Sequence, residues 1–221
     1  MITRVCNRIR LYRHRRAIRS LIKRGMQIGR DVNIMPETQF DQSYPYLIRI
    51  GNNCSISWGV RILAHDASAY SFLGFARIGR VDIRDHCFIA ERSIILPGVT
   101  IGPKALVAAG SIVTRDVPPN TRVIGNPARR YGTFDDFLDE IKKAKEQSEC
   151  IDFEEIRGPL TDAEKRDFQL RTERGILYCL GYLGRFPYIF NPSGIPPEKR
   201  FEAYPVPEEP TEPSSKDDIS T

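Results

Sequence analysis

The chain has 221 residues and a formal charge of +5, and 41% of its residues are hydrophobic. This length suits one or two domains with a buried core. Five cysteines without a Cys-x-x-Cys pair argue against both a disulfide framework and a zinc site. No apolar run is long enough for a membrane span, and the N-terminus lacks the apolar core of a signal peptide, so we expect a cytoplasmic protein.

The first predicted element is a basic helix over residues 1–24. This segment holds nine lysines and arginines and no acidic residue, which leaves 24 basic and 28 acidic residues in the remainder. A ragged apolar stripe that includes Ile18 and Leu21 runs along the helix. Three interpretations remain open: peripheral contact with an anionic membrane surface, here the inner membrane, attachment to an anionic substrate, or a solvated helix that leans on the end of the fold. Nucleic-acid binding is not expected, because little aromatic character is interleaved with the arginines.

A six-residue repeat dominates residues 25–132. Aliphatic residues recur at every sixth position, and slender residues occupy a second lane four positions later. A period of six fits neither an amphipathic helix nor an ordinary strand and is typical of a parallel β-helix, in which each hexapeptide forms a short strand and a turn. The aliphatic lane is clearest at Ile83, Ile89, Ile95, Ile101, Val107 and Val113, and the second lane there holds Cys87, Ser93, Val99, Ala105, Ser111 and Val117.

Two segments interrupt this repeat. Residues 36–47 break the register and contain two prolines, so we predict an irregular loop there. Residues 64–77 are predicted to form a longer loop on one side of the solenoid, before Ile78-Gly79 resumes the pattern. Insertions in a solenoid often line its binding face.

The C-terminal part is predicted to be helical over 133–190. A first helix from Phe134 to Glu149, with Thr133 as its N-cap, would cover the open end of the solenoid. A second helix starts at Thr161 with a capping box. Residues 191–221 read as a Pro/Glu-rich tail that is disordered in part. The sequence therefore predicts a mainly β protein with a basic N-terminal helix, a β-helix domain and a C-terminal helical extension.

Three histidines are the candidates for acid–base chemistry. His14 lies in the basic helix and is expected to be exposed. His65 and His86 each follow a register aliphatic by three positions, so both should face outward. His65 also begins the long loop, and the adjacent Asp66 could hold its imidazole in one tautomer. A lone His-Asp pair is also common on protein surfaces, and His86 remains a second candidate base.

Several motifs resemble the hexapeptide-repeat acyltransferases, whose fold is a left-handed parallel β-helix. They are Ile95-Leu96-Pro97-Gly98-Val99-Thr100-Ile101-Gly102, the run from Val107-Ala108-Ala109-Gly110 to Val117-Pro118-Pro119, and Gly125-Asn126-Pro127-Ala128. The segment Ile62-Leu63-Ala64-His65-Asp66 is similar to the place where sugar and antibiotic acetyltransferases of this family carry their catalytic histidine. The resemblance covers roughly residues 25–132.

The resemblance implies an acetyl-CoA-dependent acetyltransferase that acts directly on a hydroxyl or amino group of a sugar, in lipopolysaccharide or capsule biosynthesis. His65 would be the general base, with Asp66 beside it, and the active sites would lie between the subunits of a homotrimer. Carried over by motif, the residues expected to bind CoA are Ala90, Ala108, Ala109, Thr114, Arg115, Arg129 and Arg130. Trp58, Tyr70 and Phe72 are interpreted as sugar-stacking residues, although they could instead bury the loop.

The six-residue repeat is compatible with two other classes of function. Metal-dependent hydration on the same repeat needs three histidine ligands on neighbouring coils. His65 and His86 alone do not supply them, so no metal is expected. A non-catalytic β-helix scaffold subunit is the alternative function, and a failure to bind CoA would favour it.

Overall fold

A computed structural model describes residues 2–152, 160–180 and 189–190. Helix α1 (Ile2–Lys23) precedes four coils, each built from three short strands. The strands of the first two coils are β1 (Gln27–Ile28), β2 (Val32–Ile34), β3 (Gln39–Phe40), β4 (Ile48–Ile50), β5 (Ser55–Ile56) and β6 (Arg61–Ile62). An inserted loop with β7 (His65–Asp66), helix α2 (Tyr70–Leu73) and β8 (Arg77–Ile78) follows. The strands of the last two coils are β9 (Val81–Ile83), β10 (Phe88–Ile89), β11 (Ile94–Ile95), β12 (Thr100–Ile101), β13 (Leu106–Val107) and β14 (Ile112–Val113).

The coils stack into three parallel sheets, which confirms the predicted left-handed parallel β-helix. Sheet A contains β1, β4, β9 and β12, sheet B contains β2, β5, β10 and β13, and sheet C contains β3, β6, β11 and β14. We name the corners of this prism after the sheets they join. The AB corner comprises residues 29–31, 51–54, 84–87 and 102–105, the BC corner 35–38, 57–60, 90–93 and 108–111, and the CA corner 41–47, 63–80, 96–99 and 114–116.

The six-residue register forms the core as predicted. In each sheet the inward residues pair directly with one another, as in the ladder Ile28, Ile50, Ile83 and Ile101 of sheet A. These four side chains are at most 5% exposed. The second lane is buried too, including Cys54 and Cys87. Stacked apolar side chains therefore fill the interior of the prism, so side chains that could bind a ligand or react must lie on its outer surface.

The two segments that interrupt the six-residue repeat have different boundaries in the structure from those predicted. Residues 36–47 are not a loop throughout, because β3 continues the repeat and Phe40 pairs with Ile62 in sheet C. Phe40 is 5% exposed and stands six positions after Ile34, so an aromatic ring replaces the aliphatic rung. Ile78, by contrast, does not resume the core. It is 53% exposed, since β8 pairs antiparallel with β7 in the loop, and the rungs restart at Val81 and Ile83.

Helix α1 lies against the first coil. Ile18 and Leu21 are buried in the core, so the apolar stripe of this helix is used in packing. His14 was expected to be exposed, and this is wrong: its side chain is half-buried, and its Nε2 lies 3.0 Å from the carbonyl oxygen of Ile34. Within the described residues, no helix is both long and apolar enough to cross a membrane.

The ends of sheet B are covered by antiparallel strands. Strand β15 (Thr121–Gly125) continues the sheet and turns back into β16 (Ala128–Thr133). At the opposite end β19 (Ile189–Phe190) pairs with β2. The open C-terminal edge, which we expected the helix starting at Phe134 to cover, is thus closed in sheet B by β16. Paired edges leave fewer free backbone groups for aggregation.

The C-terminal region contains helices and strands. Helix α3 (Phe134–Glu146) begins at the predicted N-cap, where Thr133 Oγ1 accepts a hydrogen bond from the N–H of Asp136. Helix α4 (Asp162–Glu173) begins with the predicted capping box. Strands β17 (Cys150–Asp152) and β18 (Tyr178–Leu180) pair in parallel, which the helical prediction for 133–190 had missed. The predicted tail, 191–221, lies outside the described residues.

Candidate active site

The inserted loop leaves the prism at the CA corner of the second coil, and His65 is its first strand residue. Strand β7 pairs antiparallel with β8, so that the loop returns to its point of departure. The backbone of Ala64, 0% exposed, anchors this point to the prism. Its carbonyl accepts a hydrogen bond from the N–H of Gly79. His65 is thereby fixed where a rigid coil meets the loop.

A buried carboxylate from the coil below holds the His65 ring. Asp41 Oδ2 lies 2.5 Å from His65 Nδ1. The Asp41 side chain is completely buried, whereas the His65 side chain is 35% exposed. Asp41 follows Phe40 directly, and the pairing of Phe40 with Ile62 sets the two polar side chains on neighbouring coils of one corner. The register of the core therefore determines the geometry of this pair.

Hydrogen bonds stabilise the ionised form of Asp41 although its side chain is buried. Burial by itself would raise the pKa of Asp41, but hydrogen bonds to the charged form outweigh it and the pKa lies below its ordinary value. One of these bonds comes from His65. The others come from backbone N–H groups, those of Ala64 at 2.9 Å, Ser43 at 2.9 Å and Tyr44 at 3.1 Å.

This ionisation fixes the tautomer of the histidine. A carboxylate can only accept hydrogen bonds, so His65 Nδ1 must carry the proton that it donates to Asp41. In the neutral ring Nε2 then holds a lone pair and can accept a proton. The ring of Tyr44 contacts the imidazole edge-on, with centroids 5.3 Å apart. Chemically, an imidazole oriented in this way is able to accept a proton at Nε2.

The carboxylate that contacts the His65 ring is Asp41, whereas the sequence led us to expect the adjacent Asp66 in that position. Asp66 forms an ion pair with Arg77 across the β7–β8 hairpin and accepts a hydrogen bond from the N–H of Ser68. The hydrogen bond from Arg77 holds the pKa of Asp66 well below its ordinary value. Asp66 thus stabilises the base of the loop.

The predicted sugar-stacking residues are divided between two corners. Tyr70 and Phe72 lie on α2 in the loop that His65 begins, and they are 63% and 84% exposed. Trp58 lies at the BC corner instead. There the guanidinium of Arg10, whose ion-pair partner is Glu37, stacks on the indole at 5.1 Å from the ring centroid. Within one chain, Trp58 is therefore not grouped with His65.

The predicted CoA residues also fall into two groups. Ala90, Ala108 and Ala109 lie at the BC corner, where Ser93 Oγ bonds to the carbonyls of Ala90 and Ala108 at 2.9 and 3.0 Å. The remaining ones lie towards the C-terminal end of the prism. Thr114 is exposed there, and a cavity of about 200 Å³ is lined in part by Arg115, Arg129 and Arg130.

The other candidate groups stay apart from this site. His86 is exposed at the AB corner, with a left-handed backbone at φ 59°. In the described part of the chain, no three metal-ligating side chains come together. Sequence reasoning missed Asp41 and Tyr44. For Asp41 the available signal was its position directly after Phe40, one coil before the Ile62-to-His65 segment.

Comparisons with known proteins agree with this architecture. Residues 80–115 match the family model described as the hexapeptide repeat of succinyl-transferase. The chain is 37% identical over 125 residues to a candidate acetyltransferase, YvoF of Bacillus subtilis, which covers 57% of this chain and 68% of that protein. It is 33% identical over 138 residues to CapG of Staphylococcus aureus, covering 60% and 80%.

Solved structures also show similarity. A galactoside acetyltransferase in complex with coenzyme A matches with a TM-score of 0.43 and 25% identity, over 51% of this chain and 67% of that one. The sequence relatives are sufficiently similar, over enough of their length, to establish the relationship. The chain belongs to the hexapeptide-repeat acetyltransferase family.

Proposed function

We propose that this acetyltransferase moves the acetyl group of acetyl-CoA to a hydroxyl or amino group of a sugar, with His65 as the general base. The observation that carries the proposal is the Asp41–His65 pair at the start of the exposed loop. A buried, ionised carboxylate holds one ring nitrogen of a partly exposed imidazole, and in the neutral ring the other nitrogen then carries the free lone pair. General bases of this kind contribute about 10²–10⁴-fold to a rate.

The proposed reaction is a single direct transfer. His65 Nε2 removes the proton from the acceptor hydroxyl or amine while that atom attacks the thioester carbonyl. The tetrahedral intermediate collapses, the carbon–sulfur bond breaks, and the imidazolium returns the proton to the departing CoA thiolate. Asp41 stabilises the imidazolium in between, because its negative charge lies against Nδ1.

The loop and the arginines support the two ligands of the proposed reaction. Exposed aromatic faces such as those of Tyr70 and Phe72 suit the apolar face of a sugar ring. Guanidinium groups suit phosphates, so Arg115, Arg129 and Arg130 would hold the nucleotide end of CoA. The small side chains along the BC corner would let the pantetheine arm approach the backbone closely.

The separation of these groups supports an active site between subunits. Sheet C lies between the CA corner, with His65, and the BC corner, with Ala90, Ala108 and Ala109. A second copy of the chain can bring its BC corner opposite the CA corner of the first. We therefore include a homotrimer in the proposal, because cyclic assemblies repeat one heterologous contact around a closed ring.

The test is acetyl transfer by purified protein to a panel of free and nucleotide-linked sugars. The product is measured by mass spectrometry, because the five cysteines of the chain would interfere with thiol reagents. We expect His65→Ala to lower turnover about 10²–10⁴-fold with CoA binding retained, and His86→Ala to leave turnover near the parent value. Unchanged turnover in His65→Ala would refute the general base. A parent protein that fails to bind CoA would refute the proposed donor.

A further inference from the structure

The outer face of α1 presents a tyrosine and three basic side chains in a row. Tyr12, Arg16, Arg19 and Lys23 follow one another at intervals of four, three and four residues, which places them on one side of a helix. All four are exposed, Tyr12 to 65%. Ile18 and Leu21 lie on the opposite side and are buried against the first coil. The row therefore lies on the side of the helix that faces away from the first coil.

Within the described part of the chain, no carboxylate neutralises the charge of this row. Residues 1–24 contain no acidic residue. Among the described residues, Arg16, Arg19 and Lys23 have no carboxylate partner. Arg10, on another side of the helix, is already paired with Glu37. The row thus concentrates positive charge on a chain whose remainder carries an excess of acidic residues.

We propose that this face of α1 binds the surface of an anionic lipid bilayer. A row spanning eleven residue steps is about 16 Å long and straight, which suits a planar array of headgroups. Tyrosine is enriched at membrane interfaces, where its ring lies at the level of the headgroups. The face carries a single aromatic ring, whereas surfaces that bind single-stranded nucleic acid present several aromatic side chains on which successive bases stack.

The binding is electrostatic rather than insertional. An amphipathic helix that enters the interface needs a free apolar face. In α1, the apolar side chains of Ile18 and Leu21 are already part of the β-helix core. Attraction between this part of the helix and the bilayer then comes from the basic side chains, so it falls as added salt screens the charges.

The test is co-sedimentation with vesicles of phosphatidylcholine alone or with about a third phosphatidylglycerol. The full chain should bind the anionic vesicles at about 0.05 M salt and lose this binding at about 0.5 M. The triple variant Arg16→Gln/Arg19→Gln/Lys23→Gln should bind about 100-fold more weakly, since each basic residue contributes roughly a factor of five. Tyr12→Ala should weaken binding by a smaller factor.

A matched control removes the same charge from another exposed helix. Lys142→Gln/Lys143→Gln/Lys145→Gln in α3 should retain vesicle binding within about twofold. Equal losses in the two triple variants would overturn the proposal, because net charge rather than the α1 face would then explain binding. Binding to duplex DNA without binding to anionic vesicles would also overturn it. Circular dichroism of each variant checks that the fold is retained.

Discussion

Asp41 and His65 are 24 residues apart in the sequence, yet Asp41 Oδ2 lies 2.5 Å from His65 Nδ1. One turn of the β-helix separates them, so stacking of coils rather than local sequence creates the pair. Asp41 receives three backbone N–H bonds besides the one from His65. A carboxylate fixed on this many donors cannot turn away from the ring, and the imidazole is held in one orientation.

The first prediction concerns Asp41→Asn. The amide of the introduced asparagine can present its NH₂ group to Nδ1 of His65, which favours the tautomer that carries the proton on Nε2. In that tautomer Nε2 has no free lone pair, so His65 cannot accept a proton there. We expect turnover to fall by about 10²-fold or more while the KM for acetyl-CoA changes little. Steady-state kinetics at constant pH, with circular dichroism as a check on folding, measures both quantities.

Asp66→Asn is the matched control for that experiment. Asp66 is paired with Arg77 and not with the imidazole, so its variant should affect turnover at least about tenfold less than Asp41→Asn. Equal effects of the two variants would restore Asp66 as the partner of His65 and contradict the assignment made from the geometry.

The second prediction tests whether the active site lies between subunits. His65→Ala removes the base from the CA corner, and Ala109→Trp blocks the BC corner with a large side chain. Each variant alone should be inactive. If the two corners come from different copies, unfolding and refolding them as an equal mixture should restore about a quarter of the parent activity, because about one interface in four then combines two intact corners.

Absence of any recovery in that mixture would contradict a shared site. The control is a mixture refolded from His65→Ala and Asp41→Asn. Both substitutions damage the same corner, so no combination of these chains yields an intact site, and activity should stay at the level of the separate variants.

The third prediction distinguishes a true rung of the β-helix from a residue that only continues the sequence pattern. Ile95 is fully buried in sheet C, whereas Ile78 is 53% exposed. We expect Ile95→Ala to lower the free energy of unfolding by about 2–5 kcal/mol, and Ile78→Ala to lower it by less than about 1 kcal/mol. Urea denaturation followed by circular dichroism measures the difference. Similar losses in the two variants would show that Ile78 belongs to the core.

These two isoleucines also show what the sequence could and could not predict. A six-residue period states directly which side chains face inward, so residues such as Ile95 and Val107 were placed correctly. Ile78 has the same neighbour, a glycine, as the true rungs Ile28, Ile50 and Ile101, but it pairs within the loop. Phe40 was missed because its aromatic ring does not match the aliphatic pattern.

The candidate site was predictable only in part, because its contacts join different coils. His65 could be found from its position at the start of an insertion. Its partner could not, since Asp41 meets it only when β3 is recognised as a strand. Asp66 was chosen for its adjacency in sequence, but successive strand residues point to opposite sides, which turns its side chain away from that of His65. Trp58 lies at another corner than the loop, because neighbours in sequence can occupy different corners of a prism.

The last prediction concerns the pH dependence of stability and rests on His14. Burial lowers the pKa of His14, and the hydrogen bond to the Ile34 carbonyl opposes this effect only in part. Nearby Arg15 and Arg10 lower the pKa further. The pKa is therefore lower in the folded chain than in the unfolded chain. The contribution of neutral His14 to stability is present above about pH 6.5 and is lost as the pH falls through the folded-state value.

We expect the melting temperature of the parent to drop more between about pH 7.5 and pH 5 than that of His14→Gln, whose amide N–H can still bond to Ile34 without titrating. Both proteins share every other titrating group, including His65, so the difference between their two profiles isolates His14. Parallel profiles would show that α1 remains docked whatever the charge of this residue.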